Sequence, residues 1–374
     1  MNKANVIVSY GVRLVTTDDR SAVQTLEAKE AVEVELDGGR GARLDPADPR
    51  AEGLARVLEG IGRQHLPVYL ELAPETETIE RLLIPYVTQI IGLGRSAEGA
   101  LEVEIAMSHA RHRLTADQPD FAELEKRLRS ALESGDRVIL TEDDDHRIID
   151  VRPFAPPPEA VLPPLPPEPT PPAPKPPGWL ELIWKKLWYW PWWPWWWFGC
   201  VSAAKAQQVF DAMNARSCDP LTVPPPCIPF LYPDDGCWGR AHEMCRLMID
   251  MGLSPKKVWI QGSLTAATRN HPSCAVHWGW HVAPTLCVRW WWFLSRTRVI
   301  DPSLFTEPVS KATWKGAQGD ANATLTDSDA SIFYLWGNVT DPTYTQTNQV
   351  LATYRLMLQA RAVQIGPPPY AACP

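Results

Sequence analysis

A run of prolines divides this chain into parts that cannot share one continuous fold. Between Pro153 and Pro177, 14 of 25 residues are proline. Because proline fixes φ and lacks a backbone donor, this density excludes both helix and sheet. The sequence therefore predicts a domain over residues 1–152, a proline-rich linker over 153–178, a tryptophan-rich segment over 179–199 and a second domain over 200–374.

Charge separates the two predicted domains. Through Asp150 the chain has 18 basic and 29 acidic residues, and beyond it 18 basic and 15 acidic. Nucleic-acid binding requires a strongly basic surface that neutralises phosphates, and neither part has that composition. We therefore expect no nucleic-acid partner.

The first domain has the patterns of a mixed α/β unit. Val32–Leu36 and Leu101–Met107 alternate apolar and acidic residues, as half-buried strands do. Apolar residues at helical spacing between Pro119 and Gly135 predict a helix. The acidic run Glu142–Asp145 lies between two apolar strands, which favours a solvated hairpin turn over a metal site. No pattern in this domain indicates a chemistry.

The segment after the linker holds nine of the 18 tryptophans, between Trp179 and Phe198. It begins as a short amphipathic helix that two prolines end, and only 13 residues separate Lys186 from Cys200, too few to span a bilayer. Tryptophan prefers the headgroup layer, so one interpretation is an interfacial membrane anchor. In the other, the rings cover part of this protein. The second aromatic run, Trp290–Phe293, favours an interaction surface.

Residues Met1–Thr17 lack the pattern of a secretory signal. Because no transmembrane helix is evident either, we expect a cytoplasmic protein or one exported by another route, with membrane association left open. All eight cysteines lie from Cys200 onward without a C-x-x-C pair. That spacing argues against a zinc ribbon and leaves the redox compartment open.

Cys237 stands at the predicted start of a helix. Apolar residues at helical spacing follow it as far as Met251, and Asp234 or Asp235 precedes it as the expected cap. The helix dipole and the free N–H groups at such a position stabilise a thiolate. Cys237 is therefore the candidate nucleophile.

A thiolate nucleophile needs an acid/base and a group that orients it. His281 lies in a predicted strand whose alternation places His277 on the same face and Trp278 on the other. Asp301 ends a second predicted strand, and pairing of the two strands would bring it beside His281. Cys237, His281 and Asp301 are thus the predicted catalytic residues.

Four separated blocks add to this pattern. They are Asp235-Gly236-Cys237, Arg240-Ala241-His242, Trp278-x-Trp280-His281-Val282-Ala283 and Ile300-Asp301-Pro302-Ser303-Leu304-Phe305. In order and spacing they resemble the bacterial protein glutaminases, whose Cys-His-Asp core is similar to that of transglutaminases and papain-type proteases. The resemblance implies an α+β chain with a papain/transglutaminase-like cysteine hydrolase domain at 200–374. In it Cys237 would be the nucleophile, His281 the acid/base and Asp301 its orienting group.

The resemblance bears on other residues too. Cys218 and Cys227 fall where the family has cysteines, which implies a disulfide if the compartment is oxidising. Trp238 and Trp280 stand where the family more commonly has tyrosines, which bears on substrate preference. His277 is either a supporting group near the acid/base or a structural or solvated histidine.

The oxyanion donors are only partly identified. The Cys237 N–H is the expected first donor, and Gln261 and Trp259 are candidates for the second. We expect no metal ion and no organic cofactor. The other thiols, at Cys245, Cys274 and Cys287, are expected to be small buried apolar groups.

These residues predict a hydrolase that deamidates protein-bound glutamine to glutamate through a cysteine thioester, with proteins that bear accessible glutamine as substrates. A transglutaminase or a cysteine protease would use the same three residues. An alternative from another functional class is a membrane-associated binding protein. In that case the triad would be inactive and the tryptophan-rich segment would be the functional part. The acidic first domain could mask the active site, target the chain or deliver it, and its sequence leaves these roles open.

Overall fold

The computed structural model describes residues 6–16, 20–37, 39–96, 99–155, 200–222, 225–291 and 294–374. Most of the predicted linker and all of the tryptophan-rich segment lie outside these residues. The described part mixes helices with antiparallel sheets, as the sequence predicts. Within it, no helix is both long and apolar enough to cross a membrane.

The described residues of the predicted first domain form two successive units with a similar order of elements, which we call the first and second repeats. The first repeat, residues 6–83, comprises β1 Val6–Ser9, β2 Val12–Val15, α1 Ala22–Glu27, β3 Val32–Leu36, β4 Gly41–Leu44, α2 Ala51–Arg63, β5 Val68–Leu72 and β6 Ile79–Leu83. The second repeat, residues 86–153, comprises β7 Tyr86–Arg95, β8 Leu101–Ile105, β9 His112–Leu114, α3 Phe121–Ser134, β10 Arg137–Glu142 and β11 Ile148–Pro153.

Strand order shows that the repeats share one plan. The second repeat forms a single sheet ordered β11-β10-β7-β8-β9, whereas the first forms two sheets ordered β6-β5-β1 and β2-β3-β4. The single long strand β7 therefore occupies the positions that β1 and β2 occupy in the first repeat. An isolated parallel bridge joins Arg43 to Thr78 in the first repeat, and Arg113 to Arg147 in the second.

The second domain is an antiparallel sheet with helices packed on it. Its elements are α4 Ala203–Asn214, α5 Cys237–Asp250, β12 Lys256–Ala267, β13 Ala275–Trp291, β14 Leu294–Val299, β15 Val309–Ser310, α6 Lys311–Gly316, β16 Thr324–Asp329, β17 Ile332–Tyr334, β18 Val339–Thr340 and α7 Thr345–Ile365. The main sheet is ordered β15-β14-β13-β12-β16, and α5 packs between β13 and α7. Helix α5 therefore holds Cys237 against the central strand of the sheet.

Three disulfides lie within the second domain. Cys218–Cys227 is bonded, in agreement with the pairing that the resemblance implies. Cys200 is bonded to Cys287 and Cys274 to Cys373, so the expectation of free buried thiols at Cys274 and Cys287 is wrong. Of the described cysteines, Cys237 and Cys245 remain as buried free thiols.

The first repeat packs on the second domain through α2 and α7. Gly60 of α2 leaves so little room that an added Cβ would lie 2.4 Å from Leu356 Cδ2. Beside it, the Gln364 side-chain amide accepts a hydrogen bond from Leu82 N and donates one to Leu82 O, both at 2.8 Å. The first repeat therefore contributes a close apolar contact that fixes the two domains relative to each other.

Candidate active site

Cys237 is the first residue of α5, as predicted, but its cap differs from the prediction. Gly236 precedes it with φ of +79° and is the N-cap, and no side chain caps the helix. A Cβ at Gly236 would lie 2.3 Å from the Tyr354 ring, so this position requires glycine for both its φ and its space. The Asp235 carboxylate instead accepts a hydrogen bond from Gly236 N at 2.9 Å.

His281 and Asp301 meet as the strand pattern predicts. Strands β13 and β14 pair in antiparallel register, and the chain leaves β14 just before Asp301. His281 Nε2 lies 2.9 Å from Asp301 Oδ2, which also accepts a hydrogen bond from Trp314 Nε1 at 2.8 Å. Burial would raise the pKa of Asp301, but His281 and these hydrogen bonds lower it.

Two tryptophans hold the His281 ring. Trp278 stacks on it at 4.5 Å between centroids, and Trp314 stacks at 5.5 Å. The strict alternation predicted for β13 is therefore wrong, because it placed Trp278 on the opposite face from His281. The register with β12 shifts between Gln261 and Leu264, and Gly279 has no β12 partner.

The Cys237 thiol is almost completely enclosed, with 1% of the residue exposed. Burial raises the pKa of Cys237 well above its usual value, which the nearby Arg240 and a hydrogen bond from the Val282 backbone only partly oppose. Its Sγ lies 3.4 Å from His109 Nδ1. The Nδ1 atom of His281, by contrast, is buried without a hydrogen-bond partner among the described residues.

His109 belongs to the second repeat, in the loop between β8 and β9. That loop runs along β13 as a short added strand: Gly279 N donates to His109 O at 2.8 Å, and Arg111 N donates to His277 O at 3.1 Å. Trp280 Nε1 donates to Ser108 O at 3.2 Å. We call residues Ser108–Arg111 the plug, because they cover Cys237.

Asp235 anchors the plug. Its carboxylate accepts hydrogen bonds from Ser108 Oγ at 2.7 Å, from His109 N at 3.1 Å and from Tyr354 Oη at 2.7 Å. His109 Nδ1 lies 2.7 Å from Asp235 Oδ1. Burial raises the pKa of Asp235, but His109 and the hydrogen bonds outweigh it and lower that pKa. Burial lowers the pKa of His109 to about 4, so this ring is neutral at pH 7.

The acidic run forms the predicted turn, but the turn is docked rather than solvated. Asp144 Oδ1 accepts a hydrogen bond from Arg361 Nε at 2.6 Å, and Asp145 is bonded to Ser273 Oγ. The same guanidinium binds both oxygens of Asp234, at 2.9 and 3.0 Å. Arg361 therefore joins the second repeat to the loop that precedes Cys237.

Some of the other predicted site residues are buried beside Cys237, and others have exposed side chains. Trp238 and Trp280 are buried beside the plug, with ring centroids 5.8 Å apart, and Trp238 Nε1 has no hydrogen-bond partner in the described part. His277 and Gln261 have exposed side chains. Trp259 Nε1 is already bonded to Ser328 Oγ at 2.8 Å, which removes it as an oxyanion donor in this arrangement.

Sequence reasoning missed the contribution of the first domain to this site. Ser108 and His109 carry no local pattern, because they lie in an irregular loop whose hydrogen bonds are made to β13 and Asp235. A comparison of the two repeats would have singled out this loop, since it spans residues 106–111 where the first repeat has only 37–40.

Comparisons with known proteins bear on the second domain most directly. The model of a family described as Glutaminase matches residues 206–318. No curated protein sequence matches the chain. A crystal structure of pro-protein-glutaminase is 20% identical, with 78% of this chain and 98% of that chain covered and a TM-score of 0.48.

Two structures of protein-glutaminase have a higher sequence identity to this chain. The NMR structure of protein-glutaminase from Chryseobacterium proteolyticum is 30% identical over 40% of this chain and 84% of that one, with a TM-score of 0.36. A crystal structure of protein-glutaminase is also 30% identical, over 42% of this chain and 90% of that chain, with a TM-score of 0.38. On that identity over nearly the whole relative, together with the family match, the chain belongs to the protein-glutaminase family.

Proposed function

We propose that this chain is a protein-glutamine deamidase in which Cys237, His281 and Asp301 form the catalytic triad. Cys237 attacks the side-chain carboxamide carbon of a protein-bound glutamine, and His281 protonates the departing ammonia. A thioester results. Water that has given a proton to His281 then releases glutamate and restores the thiol.

The observation that carries this proposal is the pairing of a helix-start cysteine with a buried His281–Asp301 dyad in a protein-glutaminase family member. Asp301 holds the imidazole with one nitrogen toward it, so the other nitrogen is available to the thiol. Trp238 Nε1 is a buried donor without a partner, next to Cys237 in sequence, and is suited to donate a hydrogen bond to the substrate carboxamide oxygen.

We propose further that the first domain masks this site. The plug is bonded to β13 and covers the sulfur, and Cys237 Sγ is within 3.4 Å of His109 rather than bonded to His281. A substrate glutamine cannot reach Cys237 while the plug is in place. Masking is thereby favoured over targeting or delivery as the role of this domain.

One experiment tests both proposals. A protease recognition sequence is inserted between residues 156 and 178 of the full chain, and ammonia release from a glutamine-rich protein is measured before and after cleavage. Cleavage is expected to raise the rate, because it lets the first domain separate. In Cys237→Ala the rate should fall on the order of 10³-fold or more, whereas Cys245→Ala, the matched buried thiol, should retain it.

The same samples distinguish the alternatives. Crosslinked substrate would indicate a transglutaminase, and substrate fragments would indicate a protease. An unchanged rate in Cys237→Ala would refute the triad, and ammonia release that neither cleavage nor dilution of the cleaved protein raises would refute masking alone.

Membrane association is a separate proposal, which rests on the sequence of residues 179–198. Deleting them from the full chain should abolish flotation with anionic liposomes if they form an interfacial anchor. Equal flotation with and without the deletion would overturn it.

A further inference from the structure

Two histidines at the covered site share one arrangement. His109 Nδ1 is 2.7 Å from Asp235 Oδ1, and His281 Nε2 is 2.9 Å from Asp301 Oδ2. In each ring the other nitrogen, His109 Nε2 or His281 Nδ1, is buried without a hydrogen-bond partner in the described part of the chain. A carboxylate on one imidazole nitrogen and a free lone pair on the other is the arrangement of metal-ligating histidines.

The Cys237 sulfur completes the set. One donor atom from each of His109, Cys237 and His281 lies within 4.8 Å of the other two, and each of these residues is only 1% exposed. Two imidazole nitrogens and a thiolate are ligands that select zinc over magnesium or calcium. The second repeat supplies one ligand and the second domain supplies the other two.

We propose that His109, Cys237 and His281 bind one zinc ion while the plug is in place. Ligands of tetrahedral zinc, with bonds of about 2.0–2.3 Å, lie roughly 3.3–3.8 Å apart, so the widest pair needs to close by about an ångström. Binding would release the thiol proton to solvent, and a water molecule would take the fourth position. The ion would fasten the plug to the residues that it covers.

A metal accounts for what hydrogen bonding leaves unexplained. Buried polar atoms are rarely left without a partner, and a bound ion would satisfy both ring nitrogens, whereas Trp238 Nε1 would remain available to the substrate. The sequence did not reveal these three ligands together, because they come from both domains and positions 109 and 237 are 128 apart in the chain. Local ligand spacing predicts no metal site, and this proposal differs from that expectation because its ligands lie far apart in the chain.

A second cluster offers a contrast. His112 and His146 direct their Nδ1 atoms to the two oxygens of Glu142, at 2.5 and 2.6 Å. His112 Nε2 is bonded to Ser108 Oγ at 2.8 Å. Both carboxylate oxygens and three of the four ring nitrogens already have partners, so this cluster is explained without an ion.

The test uses cobalt(II) and zinc(II) with the full chain, since cobalt reports its ligands by absorption. Metal is supplied during expression and again by dialysis, after which bound metal is measured by mass spectrometry. We expect one equivalent bound, a thiolate-to-cobalt charge-transfer band, and displacement of cobalt by zinc. Chelation should raise the alkylation rate of Cys237 by about 10-fold or more, because the plug is released more often.

Matched variants assign the ligands. His109→Ala should weaken zinc binding by about 100-fold or more, and Cys237→Ser should remove the charge-transfer band. Cys245→Ser, the other buried thiol, and His277→Ala, an exposed histidine of β13, should leave both unchanged. Absence of the band in the metal-loaded wild type, or equal affinity in His109→Ala, would overturn the inference. None of these readouts depends on deamidation, so its failure and that of the proposed function are distinguishable.

Discussion

The two repeats of the first domain have one plan but contact the second domain in opposite ways. The first repeat packs through an apolar helix face, where Gly60 of α2 lies against Leu356. The second repeat uses buried polar loops, which bring Ser108 and His109 to Asp235 and Asp144 to Arg361. One repeat therefore contacts the second domain mainly by apolar packing, and the other by specific polar contacts.

The loops themselves show where the copies diverged. In the first repeat, four residues separate β3 from β4, and Leu36 N donates a hydrogen bond to Arg40 O at 3.1 Å. In the second, the loop between β8 and β9 is longer and its backbone is bonded to β13. A short extension of one hairpin, on an otherwise retained framework, is sufficient to reach the covered cysteine.

The largest expected effect comes from Arg361, which joins Asp144 of the second repeat to the buried Asp234 in the loop before Cys237. Arg361→Ala would leave Asp234 and Asp144 without their guanidinium, and we expect a loss of about 3–5 kcal/mol in unfolding free energy. Arg13→Ala, which removes an exposed pair with Glu35 in the first repeat, should cost below about 1 kcal/mol. Urea denaturation of both variants measures this, and equal losses would contradict the contrast.

The next largest expected effect is a pH dependence of the unfolding free energy that comes from the second repeat. Burial lowers the pKa of His146, but Glu142 outweighs it and raises that pKa to about 9, whereas the equivalent position of the first repeat is the exposed Glu77. The stabilisation is complete below the unfolded pKa of about 6.5 and is lost as pH rises through 9, by up to about 3 kcal/mol. Denaturation at several pH values should show this loss in the wild type. A His146→Gln variant whose unfolding free energy had the same slope against pH would contradict it.

Exchanging the loops tests the comparison directly. Replacing residues 106–111 with the sequence of residues 37–40 should expose the cysteine, and we expect Cys237 alkylation to rise by about 100-fold. Peptide mass spectrometry measures this rate, with buried Cys245 as an internal control. If Cys237 stayed protected, the plug would not be the element that covers it.

The smallest effect concerns the apolar contact. Gly60→Ala should destabilise the chain by about 1–2 kcal/mol, because crowding against Leu356 outweighs the helix propensity of alanine. Ser130→Ala, at the matching but exposed position of α3, should change stability by less than about 0.5 kcal/mol. Thermal unfolding of the two variants tests this, and a stabilised Gly60→Ala would show that the helices can separate slightly.

Much of the second domain could be predicted from the sequence. The start of α5 at Cys237 and the pairing that brings Asp301 to His281 follow from periodicity, which reports the burial of each residue within its own element. Periodicity failed where another element decided the local structure. Asp235 does not cap α5 because its carboxylate binds Ser108 and His109, and Gly236 takes the cap position because Tyr354 leaves no room for a side chain.

The disulfides described above affect what a single break in the linker would do. All eight cysteines lie from Cys200 onward, so no disulfide can join residues 1–152 to the second domain. If the first domain masks Cys237 as proposed, one cut between residues 156 and 199 would make it a separate molecule, and the high effective concentration that the tether provides would be lost. Latency of the cut protein would then depend on its total concentration, and dilution alone would release the active enzyme.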